Sequence, residues 1–304
     1  MALQPEPFFL SVGPGRSGQR FAVYHAPHSG PARGLIAYVH PLAEEMNKAR
    51  RMAALQSRAL AAEGFAVLQM DLLGCGDSAG DFGDAAWPRW VDDVVAACRW
   101  LRHRHEATAD EAVPRLLLWG LRVGCLVAVE AASALDEACD FLFWQPTLAG
   151  NTALQQFLRM KLVGDMVAGH AKGAMAALRE QLAAGRHVEI AGYALNPSLA
   201  VGLERAVLRP APRPRRVDWL EVTACSEAVL SPASSRVAEQ WKEAGCDLRV
   251  QLVQGPAFWQ TTEIEEAPEL LARTSAALLD GAHQPDAKAG SPRSRNASLP
   301  EVAP

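Results

Sequence analysis

Short continuous apolar runs alternate with stretches of helical period along most of the chain. Phe8 to Val12 and Phe21 to His25 read as a strand pair joined through the Gly/Pro-rich segment Gly13 to Gly18. Gly34 to His40 (GLIAYVH) is apolar throughout, as a strand buried on both faces requires. Met52, Leu55, Ala59 and Leu60 share one face of a helix over Asn47 to Glu63, which Gly64 stops. Phe65 to Met70 predicts a second buried strand. A turn-rich loop, Gly74 to Gly83, separates it from a helix over Trp87 to His105. Arg115 to Trp119 and Phe141 to Gln145 are further strands, with an apolar helix over Leu121 to Ser133 between them.

The alternation breaks at 151–208, which is Ala- and Met-rich and helical in period, with no convincing buried strand. It resumes with strands over Asp218 to Thr223 and Asp247 to Val253 and helices over Ser231 to Ala244 and Ala267 to Leu279. The expectation is an α/β protein of the α/β-hydrolase plan: a mostly parallel, doubly wound sheet built from 1–150 and 209–280, with 151–208 as an inserted helical cap. Arg209 to Arg216, with three prolines, reads as a solvated connector. The segment 281–304 carries four prolines and few large apolar side chains, and disorder is expected there.

Composition narrows the class without naming a function. The 304 residues are 49% hydrophobic and 21% charged, with net charge -4, so no basic balance argues for nucleic acid as a partner. No apolar run is long enough for a membrane span, and no secretory leader is evident, which suggests a cytoplasmic protein. The six cysteines show no metal-ligand spacing and read as reduced thiols; neither metal nor cofactor is expected.

The candidate chemistry lies where the third parallel strand turns into its helix. Gly120-Leu121-Arg122-Val123-Gly124 has both glycines of the G-x-S-x-G nucleophile elbow, but its central position is Arg122. A guanidinium is protonated at any accessible pH and cannot attack a carbonyl. The loop after the last strand, where this plan places its histidine, reads Gln254-Gly255-Pro256-Ala257-Phe258-Trp259-Gln260. Phe258 and Trp259 cannot take a proton from a hydroxyl. Glu227 stands at the usual carboxylate position, as a vestigial acid. His40-Pro41 ends the strand leading to the oxyanion loop, where the N–H of Leu42 or Ala43 would join that of Val123. His40 either contacts a ligand or bonds the loop backbone. Ser78, in Gly74-Cys75-Gly76-Asp77-Ser78, is expected to stabilise its turn.

Three segments carry a family resemblance. They are His40-Pro41-Leu42-Ala43-Glu44-Glu45-Met46-Asn47-Lys48-Ala49-Arg50-Arg51, Leu68 to Phe82 around Gly74-Cys75-Gly76-Asp77-Ser78, and Leu118 to Gly124. Together they resemble the second type of exosortase A system-associated hydrolase, as do Phe157 to Lys161 and Phe258 to Thr261. The likeness spans roughly residues 5 to 280. It implies an α/β-hydrolase fold and a link to exopolysaccharide production and the exosortase/PEP-CTERM sorting system. That family's elbow arginine fits Arg122. No substrate follows from it.

Three functions fit these residues. The first is a non-hydrolytic binder of a small, anionic or sugar-derived ligand at His40, Leu42, Arg122, Val123, Phe258 and Trp259, or of a protein partner from the exopolysaccharide system. In it, Arg122 either meets an external anion or is neutralised internally by Glu227, Glu44 or Glu45. The second is a genuine ester or acyl hydrolase, or transferase, with unorthodox groups. The third is a structural adaptor that docks through its cap. Gly192-Tyr193 is a candidate for the pocket mouth.

Overall fold

The computed structural model describes residues 4–106, 113–167, 174–225 and 227–281. Strands β1 (Glu6–Ser11) and β2 (Gln19–His25) pair antiparallel, and β2 lies antiparallel to β4 (Ala66–Met70). From β4 the sheet is parallel through β3 (Gly34–Val39), β5 (Arg115–Leu121), β6 (Cys139–Trp144), β9 (Pro214–Thr223) and β10 (Asp247–Gln254). The order of the eight strands is β1-β2-β4-β3-β5-β6-β9-β10.

Helices cover both faces. Helix α1 (Glu44–Ala62) and α8 (Pro268–Gly281) close one side over a core with Met52, Trp119, Trp144 and Phe258. The other side is covered by α2 (Trp87–Arg104), α3 (Gly124–Ser133) and α7 (Pro232–Glu243), over Leu35, Leu118, Phe141 and Trp241. Side chains of β3, β5 and β6 are buried on both faces, which is why their sequences read as unbroken apolar runs. Among the described residues, no helix is long and apolar enough to cross a membrane.

Between β6 and β9 the chain leaves the sheet for α4 (Gly150–Val167), α5 (Ala174–Ala183), a hairpin of β7 (Val188–Ile190) and β8 (Tyr193–Leu195), and α6 (Pro197–Arg205). The hairpin corrects the all-helical expectation for 151–208. Its strands of three residues are too short to show alternation in sequence. Its turn is set by two successive positive φ values, 49° at Ala191 and 85° at Gly192, as in a type I′ hairpin. A second correction concerns Arg209 to Arg216. Strand β9 already begins at Pro214, and Arg216 is buried, pairing with Asp218 two residues on along the same strand face (2.8 and 3.0 Å). The disorder expected over 281–304 falls on residues that, beyond 281, lie outside the described ones.

Candidate functional site

Strand β5 delivers Arg122 at the tight turn into α3, with φ at +56°. A left-handed backbone costs a non-glycine residue ~1–2 kcal/mol, so the surroundings must hold it there. The Arg122 N–H donates to Trp144 O (3.0 Å), and Arg122 O accepts from Cys125 (3.1 Å) and Thr147 (3.2 Å). Both flanking glycines are required by space. A Cβ at Gly120 would stand 2.6 Å from the Cys125 backbone, and one at Gly124 would stand 2.2 Å from Val39 O. The elbow is therefore built as if for a nucleophile, with an arginine at its apex.

The Arg122 guanidinium turns toward the start of α1. Its Nε and Nη2 both donate to Glu45 Oε1 at 3.3 Å, and its Cζ stands 5.7 Å from the Trp259 ring centroid. The side chains are 19% exposed for Arg122 and 26% for Glu45. Burial pushes the Glu45 carboxyl above its usual range, and the neighbouring guanidinium opposes this only in part. Of the three internal carboxylates considered from sequence, Glu45 is the partner. Glu44 instead accepts from Tyr193 Oη (3.0 Å) and Asn47 Nδ2 (3.0 Å), and Asn47 also donates to the tyrosine oxygen (3.2 Å). This cluster ties the hairpin to α1. Tyr193, which sequence offered for the pocket mouth, thus stands at the start of α1, against the residue next to Arg122's partner.

The oxyanion loop has its own strained residue, Ala43, at φ 51°. Among the described residues, no group accepts a hydrogen bond from the N–H of Leu42, Ala43 or Val123. The hydroxyl of Thr147, next to the elbow, is buried without a partner. Sequence gave no signal for Thr147.

The other expected site residues fall differently. His40 is buried; its Nε2 accepts from Leu72 N–H (3.2 Å), which leaves the proton on Nδ1 to donate to Pro41 O (2.8 Å). Burial lowers its pKa, so the ring is neutral and serves the loop backbone. Phe258, expected on the ligand surface, is 0% exposed and packs on Trp144 with ring centroids 6.1 Å apart. Trp259, expected on the same surface, is buried as well at 5% exposed, packing on Phe258 with its ring beside the Arg122 guanidinium. Glu227 is exposed, and Arg122 makes its carboxylate contact elsewhere. Ser78 donates to Asp71 O and accepts from Phe21 N–H (2.9 Å), bonds that close its turn. Cys75, in the same turn, is buried, and desolvation raises its thiol pKa above the ordinary value.

Several solved structures share this architecture. The chain matches a thermostable carboxyl esterase from Bacillus coagulans at 13% identity and TM-score 0.57, covering 92% of this chain and 98% of that one. It matches Est1E from Butyrivibrio proteoclasticus, solved with ferulic acid, at 15% identity and TM-score 0.54 (88% and 97% covered). Mouse alpha/beta hydrolase domain-containing protein 10 matches at 19% identity and TM-score 0.53, over 91% and 99%. Identities this low establish the fold alone. No curated protein matches the sequence. Residues 30–189, just over half of the chain, match the family model described as serine aminopeptidase, S33. The chain belongs to this serine aminopeptidase S33 family of the α/β-hydrolase superfamily.

Proposed function

We propose that this chain is a non-hydrolytic member of its family that binds a small anionic ligand, of the acidic-sugar class, at the elbow. The observation that carries the reading is Arg122 at φ +56°, bonded to Glu45 and beside the Trp259 ring. A fixed cation beside unclaimed N–H groups at a helix start favours an anion. Glu45 then acts as a resident counter-ion that the ligand carboxylate or phosphate displaces. Its cost of ionisation in place makes it easy to displace. The resemblance to exosortase A system-associated hydrolases supports a role in exopolysaccharide production, with a polysaccharide-derived acid as ligand or a protein of that system as partner. The free cysteines, five of the six buried, support a cytoplasmic setting. Calorimetry with glucuronate and galacturonate tests the reading. Saturable binding, absent with glucose and lost in Arg122→Gln, is expected; no binding of either uronate overturns it.

A second reading is favoured by the raised pKa of Glu45. A half-buried carboxylate beside a guanidinium can accept a proton from water while the cation stabilises an oxyanion, giving slow ester hydrolysis. Turnover of short acyl esters that disappears in both Glu45→Gln and Arg122→Ala supports it over the first.

A further inference from the structure

A groove of about 700 Å³ lies between the cap and the outer face of α2 and α3. It is within the ~300–1,000 Å³ range of small-molecule sites. None of Arg122, Glu45 or Trp259 lines it, so it is separate from the elbow.

Its floor is apolar: Trp87 from α2, Leu126 and Val129 from α3, and Leu182 from α5. Helix α6 forms one wall and comes very close to α2. A Cβ at Gly202 would lie 2.1 Å from the Trp87 Cβ, so only glycine permits this approach. Two valines remain in solvent at the lip, Val201 at 43% and Val207 at 53% exposed. The charges on the walls are unbalanced. Glu130 is already engaged, accepting from Trp87 Nε1 at 2.8 Å. Arg205 and Arg209, both exposed, meet no carboxylate among the described residues.

We infer that this groove binds a single-chain amphiphile with an anionic head: the alkyl chain along Trp87, Leu126, Val129 and Leu182, the head between Arg205 and Arg209. An apolar trough alone would accept any hydrophobe. The two unpaired guanidiniums on its walls select the sign of the head group, and bidentate donors suit a phosphate or carboxylate.

The test titrates dodecyl phosphate and dodecanoate, each below its micellar concentration, into the full chain, following tryptophan emission and calorimetric heat. One-to-one saturable binding is expected. The tighter of the two distinguishes a phosphorylated lipid from a fatty acid. Inorganic phosphate should bind at least a hundredfold more weakly, and dodecyltrimethylammonium at least tenfold more weakly. Arg205→Ala/Arg209→Ala should weaken dodecyl phosphate at least tenfold, and Val201→Asp should do the same. All three positions are exposed, so an unchanged melting temperature certifies the fold. Arg122→Gln should leave this binding unaltered, which separates the groove from the elbow. Absence of saturable binding, equal affinity for the cationic amphiphile, or indifference to the arginine substitutions overturns the inference. Loss of binding in Arg122→Gln likewise overturns it.

Discussion

Replacing Glu45 with glutamine probes the elbow with the least steric change. The substitution removes the charge and keeps an oxygen able to accept from Arg122. The contacts it perturbs are 3.3 Å long, beyond the ~2.7–2.9 Å of a strong charge-assisted bond, and the pair is about a quarter exposed. Exposed pairs contribute ~0.2–1 kcal/mol, and removing one partner of a fully buried pair costs ~3–5 kcal/mol. This pair falls between, at ~1–2 kcal/mol. Once that internal competitor is gone, an external anion should bind about 5- to 30-fold tighter, at 1.4 kcal/mol per decade. Calorimetry with glucuronate on wild type and Glu45→Gln measures the ratio. The stability of the two proteins should also diverge with pH. Burial holds the folded-state pKa of Glu45 above its unfolded value, so the protonated carboxyl contributes stability at low pH. That contribution is fully present below the unfolded pKa and is lost as pH rises through the folded one. Wild type should therefore lose stability across a window above the ordinary glutamate range, and Glu45→Gln should lack that decline. A variant that binds glucuronate no more tightly, or whose pH profile parallels wild type, refutes the displaceable counter-ion.

Restoring serine alone, as Arg122→Ser, should give no useful hydrolysis. Without imidazole a serine enzyme loses on the order of 10⁶ in kcat, and adding Trp259→His should raise the rate of the single variant more than tenfold toward alkaline pH, measured with p-nitrophenyl butyrate. Asp93→Asn should lower the melting temperature by roughly 10 °C, read by calorimetry, because it strips a buried partner (Arg20, 2.8 Å) at ~3–5 kcal/mol and ~2–4 °C per kcal/mol. Tyr193→Phe removes the hydroxyl that joins Glu44 and Asn47. It should cost only ~0.5–1.5 kcal/mol, with faster amide exchange confined to the β7–β8 hairpin.

The sheet was legible because its central strands are buried on both faces and leave unbroken apolar runs, as at Gly34–Val39 and Cys139–Trp144. The elbow was legible because two steric requirements, at Gly120 and Gly124, fix a local motif independent of the residue between them. Properties set by side-chain direction were not. Phe258 and Trp259 are adjacent aromatics and both enter the core, and nothing in their order says that the second also sets its ring beside Arg122. Glu44 and Glu45 are equally acidic at the start of α1. Helical rotation of one residue sends Glu44 to Tyr193 and Glu45 to the elbow. Arg216 reads as part of a basic connector until β9 places it on one face with Asp218. The hairpin at Val188–Leu195 is too short for its period to show.

The central claim is that the elbow has exchanged nucleophilic chemistry for a held cation. The most direct measurement combines intact-mass analysis after a fluorophosphonate probe with steady-state rates on short acyl esters, both on the wild-type chain. The account predicts no covalent adduct and no turnover above the uncatalysed rate. A stoichiometric serine adduct accompanied by ester turnover would contradict it.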